Sequence, residues 1–151
     1  MDKQIENAIN DLLNTEVWSS NLYLALQVYF EEQDMPILAS WLKIQERKKS
    51  KKIHELRKLL LRDDGMLTLH EQTFEAPEWM SLTDALNTLL THEQYMAAQT
   101  QSFLTLAENQ EDPSLYKLAL LWQEDDDGLS NIFAELAHLL NREWKRKRLP
   151  F

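Results

Sequence analysis

The chain has 151 residues with no cysteine, two glycines and four prolines, and a net charge of −9 from 25 acidic and 16 basic side chains. Disulfides, thiolate metal ligands and thiol catalysis are thereby excluded. No run of about 18 apolar residues is present to span a membrane, and the acid excess argues against nucleic acid as a partner of the whole surface. Few chain breakers and abundant Leu, Glu, Gln, Lys and Ala predict one largely helical domain with its own core. The acidic, amphipathic start lacks an apolar leader segment, which makes the cytoplasm the expected location.

Hydrophobic periodicity predicts a first helix from about Lys3 to Glu32. One stripe reads Ile5, Ile9, Leu12, Glu16, Ser20, Tyr23, Gln27 and Phe30, and a second row with Leu13, Val17, Leu24 and Val28 widens it. A helix this long, apolar on more than one side, is expected to meet a second chain as well as its own core. Asp34-Met35-Pro36 breaks it, and Pro36 suits the first turn of the next helix.

The second helix is expected from about Pro36 to Asp64, with Gly65 as the residue that ends it. Its apolar stripe of Leu38, Trp41, Leu42, Ile53, Leu56, Leu59 and Leu60 has a gap, and helical spacing carries the gap through Gln45, Lys49 and Lys52. Two lysines one turn apart therefore sit on the inside face, where an ammonium is costly unless it is paired. Residues 66–80 have no helical period and contain Pro77. A helix of about 28 residues is about 42 Å long, and about 15 extended residues cover roughly 50 Å. This segment can thus run the whole length of a bundle.

Ser81 is an N-cap with Asp84 three residues on. The third helix it starts runs to about Glu108, with Leu82, Leu86, Leu89, Leu90, Glu93, Met96, Ala97, Thr100, Phe103, Leu104 and Ala107 inward. Asp112-Pro113 starts a fourth helix lasting to about Glu143. Its stripe is Leu115, Leu118, Ala119, Trp122, Asp126, Leu129, Phe133, Leu136, Ala137 and Leu140, with Gly128 in mid-helix pointing to close packing or a kink. The pattern is all-α: a four-helix bundle over residues 1–144 with one long crossover between helices 2 and 3, followed by a basic tail over residues 145–151.

Each inward stripe is interrupted at mid-length by ionisable residues: Glu16, then Lys49 and Lys52, then Glu93, then Asp126. Such a layer serves elsewhere as a carboxylate-bridged di-metal site, built from one Glu on each of two helices and Glu-x-x-His on the other two. Here Glu16 and Glu93 fit the single-Glu positions, but the second helix offers Lys49-x-x-Lys52 and the fourth offers Asp126 with Leu129 at its i+3 position. Protonated lysines cannot ligate a metal. Two readings stand: an internal salt-bridge cluster of Glu16, Glu93 and Asp126 with Lys49 and Lys52, or a residual mononuclear metal site on Glu16, Glu93 and Asp126.

At these residues the chain resembles the bacterial non-haem ferritins. The matching pieces are LNTEVWSSNLYL around Glu16, ASWLKIQER in the second helix, SLTDALNTLLTHEQ up to Glu93 and DPSLYKLALLWQE at the start of the fourth, over roughly residues 5–140. The resemblance implies that Glu16 and Glu93 match ferroxidase ligands for iron. The family's Glu-x-x-His falls on Lys49-x-x-Lys52, and a ligand-associated Gln falls on Asp126. Of the acids of a third iron site, only Asp125 has a counterpart, the region otherwise carrying Lys48, Gly128 and Leu129. These departures imply a degenerate centre with ferroxidase activity lost and no iron at the bundle centre, as opposed to an active iron-storage member or an oligomeric bundle without an iron role. The resemblance also implies a homo-oligomer, up to a 24-subunit shell, or co-assembly with a catalytic ferritin subunit. After Leu140 only NREWKRKRLPF follows, so the family's short fifth helix is expected to be absent. Glu108, Glu111 and Asp112 are candidates for a three-fold ion channel or a solvated acidic loop.

The remaining candidates have plainer readings. Glu135 and His138 form a Glu-x-x-His that flanks the fourth stripe, so both are expected to be exposed. His54 and His92 are expected at the surface or an interface, and His70 lies in the crossover. The bases of the tail complement a helix C-terminus.

Overall fold

The computed structural model describes residues 1–125 and 128–147. Its helices are α1 Lys3–Glu32, α2 Pro36–Arg62, α3 Leu82–Asn109, α4 Pro113–Asp125 and α5 Gly128–Lys147. They form a four-helix bundle in which α4 and α5 together make the fourth column. Asp126 and Asp127, the tail from residue 148, and the side chains of Asp125, Leu129 and Phe133 lie outside the described residues. The described part of the last helix reaches Lys147, so the bases of residues 145–147 are helical and do not form a separate tail. Among the described residues no helix is long and apolar enough to cross a membrane.

Three of the connections are built on one device. Asp34, Asp64 and Glu111 take left-handed φ values of 54°, 54° and 53°. The next amide in each case returns to a carbonyl five residues back: Met35 N to Phe30 O at 2.8 Å, Gly65 N to Leu60 O at 2.7 Å and Asp112 N to Ala107 O at 3.2 Å. This is the Schellman closure, which satisfies carbonyls left over at a helix end. Gly65 is therefore not the left-handed residue, as its position after the helix suggests. That role falls to Asp64. Gly65 sits in tight quarters: a Cβ there would lie 2.8 Å from Met1 Sδ, which would have to move aside, and 3.0 Å from Leu60 Cδ2.

The crossover, residues 65–80, carries the chain from the end of α2 to the opposite end of the bundle, where Ser81 Oγ accepts from Asp84 N at 3.1 Å to start α3. Two asparagines of α1 hold it in place. Asn10 donates to Met66 O and accepts from Thr68 N, and Asn14 donates to Thr68 O and accepts from His70 N, all at 2.8–2.9 Å. Each side-chain amide mimics a strand neighbour and pairs alternate backbone groups of the crossover. Their spacing of four residues on α1 matches two residues of extended chain, since about 6 Å of rise is common to both.

The core has two apolar halves. One joins Ile5, Ile9, Leu12 and Leu13 to Leu56, Leu59 and Leu60, to Phe103, Leu104 and Ala107, and to Leu115, Ala119 and Trp122. The other joins Leu22, Tyr23, Leu26 and Phe30 to Leu38, Trp41 and Leu42, to Ala85 and Leu89, and to Leu136 and Leu139. On α1 the break between them spans Asn14–Ser19, and on α2 it spans residues 43–55. Leu24 and Val28, assigned to the widened α1 stripe, are 56% and 44% exposed, and Ala137 is exposed on α5. The α1 helix therefore leaves an apolar flank uncovered by its own chain.

Candidate functional site

Between the apolar halves, α1, α2 and α3 bring polar side chains to one level. Glu16 sits on the core stripe of α1 because Leu12, Leu13 and Tyr23 bracket it, and its side chain is 0% exposed. Lys52 Nζ lies 2.8 Å from Glu16 Oε1, and Lys49 Nζ lies 3.7 Å from Oε2. Neither oxygen receives a well-directed hydrogen bond. The two ammoniums also face aromatic rings: Lys49 Nζ is 4.8 Å from the centre of Tyr23, and Lys52 Nζ is 5.0 Å from that of Trp122. Each cation is thus held between a carboxylate and a π face, an arrangement that offsets part of its lost hydration.

Glu93 is buried on α3 and lines the same cavity as Glu16, Lys49 and Lys52. That cavity, about 310 Å³, is also bordered by Gln45, Lys48, Lys51, Glu55 and Trp122. Sequence periodicity did not single out Glu55. It is fixed by Trp122 Nε1, which donates to its Oε2 at 3.2 Å across helices. Among the described residues no group of three or more His, Asp or Glu side chains is arranged to hold a metal ion. The structure brings together Glu16, Lys49, Lys52 and Glu93. Asp126, assigned to the same layer, lies outside the described residues.

His92, expected at the surface or an interface, packs inside its own chain. It is buried beside the layer, 2.5 Å from Ser19 Oγ through Nε2, with Trp18 at 5.4 Å and Tyr23 at 6.0 Å between ring centres. Burial pushes its imidazole down to about 4, the Lys49 ammonium pushes the same way, and the Glu16 carboxylate opposes both. The α1 stripe was assigned Ser20 where the structure buries Ser19, so the partner of His92 was missed as well.

A third buried carboxylate was not apparent from periodicity at all. Glu143, 1% exposed, accepts from Ile37 N and from Leu38 N, the latter at 3.0 Å, and pairs with Arg146 Nε at 3.0 Å. Met35 gives α2 no side-chain cap, so a residue from α5 caps it instead. Arg146 and Lys147 then donate to Asp34 O and Gln33 O at the end of α1.

The acids considered for a channel lie at the turn between α3 and α4. Glu108 and Glu111 are exposed. Asp112 is half-buried, caps α4 by accepting from Leu115 N at 3.0 Å, and lies 3.8 Å from Arg62. Glu135 and His138 are both exposed, with Glu135 accepting from Trp41 Nε1 at 2.8 Å.

A family model described as a ferritin-like domain matches residues 6–142. Similar proteins include a bacterial non-heme ferritin of Bacteroides fragilis (strain 638R), 22% identical over 112 residues that cover 74% of this chain and 70% of the relative. A probable bacterial non-heme ferritin-like protein of Haemophilus influenzae is 23% identical over 145 residues, covering 93% and 86%. Among solved structures, Chlorobium tepidum ferritin superposes with a TM-score of 0.81 at 19% identity, covering 91% of this chain and 84% of that one. A humanized archaeal ferritin gives 0.78 at 18% identity, covering 99% and 87%.

Proposed function

The chain belongs to the ferritin family, and from that premise we propose that it is an iron-storage-related subunit whose central site holds an ion-pair cluster in place of iron. The observation that carries this reading is the placement of Lys49 and Lys52 Nζ at 3.7 and 2.8 Å from the buried Glu16 carboxylate. Ammoniums only donate, so they bring charge and volume but no lone pair for a metal. Glu16 and Glu93 are already matched in charge by the two lysines. Two ferrous ions added to the layer would bring four more positive charges, with Glu55 the one further carboxylate of the described lining to meet them. The donor set therefore does not fit a di-iron centre, and the subunit takes part in storage without oxidising iron itself.

An assembling role follows from the uncovered flank of α1, where Leu24 and Val28 stay exposed. The subunit forms a homo-oligomer or joins a catalytic ferritin subunit.

The test is oxidation of ferrous iron by anaerobic protein on addition of oxygen, followed by ferric absorbance against a protein-free control. The expected rate equals the control, and fast oxidation of two irons per chain would overturn the reading. Lys49→Glu with Lys52→His is the converse probe, expected to create metal binding in an otherwise intact layer. Sedimentation velocity measures the oligomer, and a monomer at all concentrations would remove the assembling role.

A further inference from the structure

The cavity at the bundle midplane has an outer rim as well as an ion-paired floor. Four of the five residues from Lys48 to Lys52 are lysines, and all four line this one cavity. Lys49 and Lys52 form its floor with Glu16. Lys48 and Lys51 are exposed at its mouth, and neither has an ion-pair or hydrogen-bond partner among the described residues. The three carboxylates of the lining have other engagements. Glu16 is matched by the floor lysines, Glu55 accepts from the Trp122 indole, and Glu93 is buried. Among the described residues, four ammoniums against three carboxylates leave the lining with one excess positive charge on a chain whose net charge is −9.

We propose that this cavity binds a small tetrahedral oxyanion, inorganic phosphate being the best match, through the Lys48 and Lys51 ammoniums at its mouth with Lys52 below. The lining is rich in donors, as an anion requires: four ammoniums and the Gln45 amide. A volume of about 310 Å³ admits such an ion together with several waters. The ion would add the charge that the two mouth lysines lack, without disturbing the pair on Glu16. The inference rests on the reading that ammoniums, not metal ions, fill this layer.

The experiment is calorimetric titration of the full chain with inorganic phosphate at fixed ionic strength, with chloride as the background salt. One ion per chain is expected. Lys48→Ser with Lys51→Ser, both at exposed positions, is expected to weaken binding at least tenfold with an unchanged melting curve. Lys43→Ser with Lys58→Ser removes equal charge from exposed positions outside the cavity and is expected to change affinity less than twofold. No binding, or equal losses in the two double variants, would overturn the proposal, the latter by showing a diffuse surface effect. Ferrous oxidation measured on the same sample tests the underlying reading separately: an active centre would overturn that reading, whereas the titration alone decides whether phosphate binds.

Discussion

Glu16 and Glu143 are both glutamates buried almost completely in the bundle, yet the fold answers their charges in opposite ways. Glu143 meets directed donors: two amides at the start of α2 and the Arg146 guanidinium, which is itself half in solvent. Glu16 meets two ammoniums from α2 as point charges, with no well-directed hydrogen bond and with open volume beside it. The first arrangement completes a helix end and leaves nothing to spare. The second leaves a cavity with further lysines around it. Burial of a carboxylate thus says little about its role, and the geometry of its donors says more.

The largest expected effect is on the Glu16 side. Glu16→Ala strands two ammoniums in the core and is expected to cost about 3–5 kcal/mol in denaturant unfolding. A neutral result would place water in the layer and remove the contrast with Glu143. Next is the pH dependence of the same region. The His92 imidazole is held at about 4 in the folded protein against an ordinary 6.5, so the unfolded chain binds the extra proton between those values. Stability from this group is complete above pH 6.5 and is lost as pH falls toward 4, by up to about 3 kcal/mol. His92→Gln should flatten that part of the stability profile, and an unchanged slope would assign it to other groups. Glu143→Ala is expected to cost about 2 kcal/mol, as loss of a helix cap with a partly solvated partner. Should it cost more than Glu16→Ala, the ranking of the two sites is reversed. The smallest effect is expected from replacing Glu16, Lys49 and Lys52 together by Met. Removal of the whole charge set at similar volume should shift stability by about 1 kcal/mol or less in either direction, which would show that the cluster is kept for something other than folding.

The legibility of this protein follows from the range of each interaction. Helix existence, the crossover and the interruption of the first three stripes at mid-length were readable, because a 3.6-residue period places Glu16, Lys49, Lys52 and Glu93 on inward faces whatever they touch. The helix ends were readable only to within a few residues. Asp64 rather than Gly65 takes the left-handed position, because the closure depends on which amide reaches Leu60 O. The roles of Glu143, Asn10 and Asn14 were not readable, since each serves a backbone segment more than 50 residues away that periodicity does not see. The same holds for His92, which its own helix places off the main stripe and which Ser19 and Trp18 of α1 enclose.

By itself the sequence determined that two lysines would face the inside of a four-helix bundle at the depth where acids converge. Side-chain period and apolar pattern are local properties, and they survive without knowledge of the partner helices. Only the tertiary structure decided that both lysines lean on one carboxylate and on the Tyr23 and Trp122 rings, and that Lys48 and Lys51 line the same cavity with no ion-pair partner among the described residues. Those pairings depend on the register between helices, which is set by packing of the two apolar halves above and below, and no single helix carries that information.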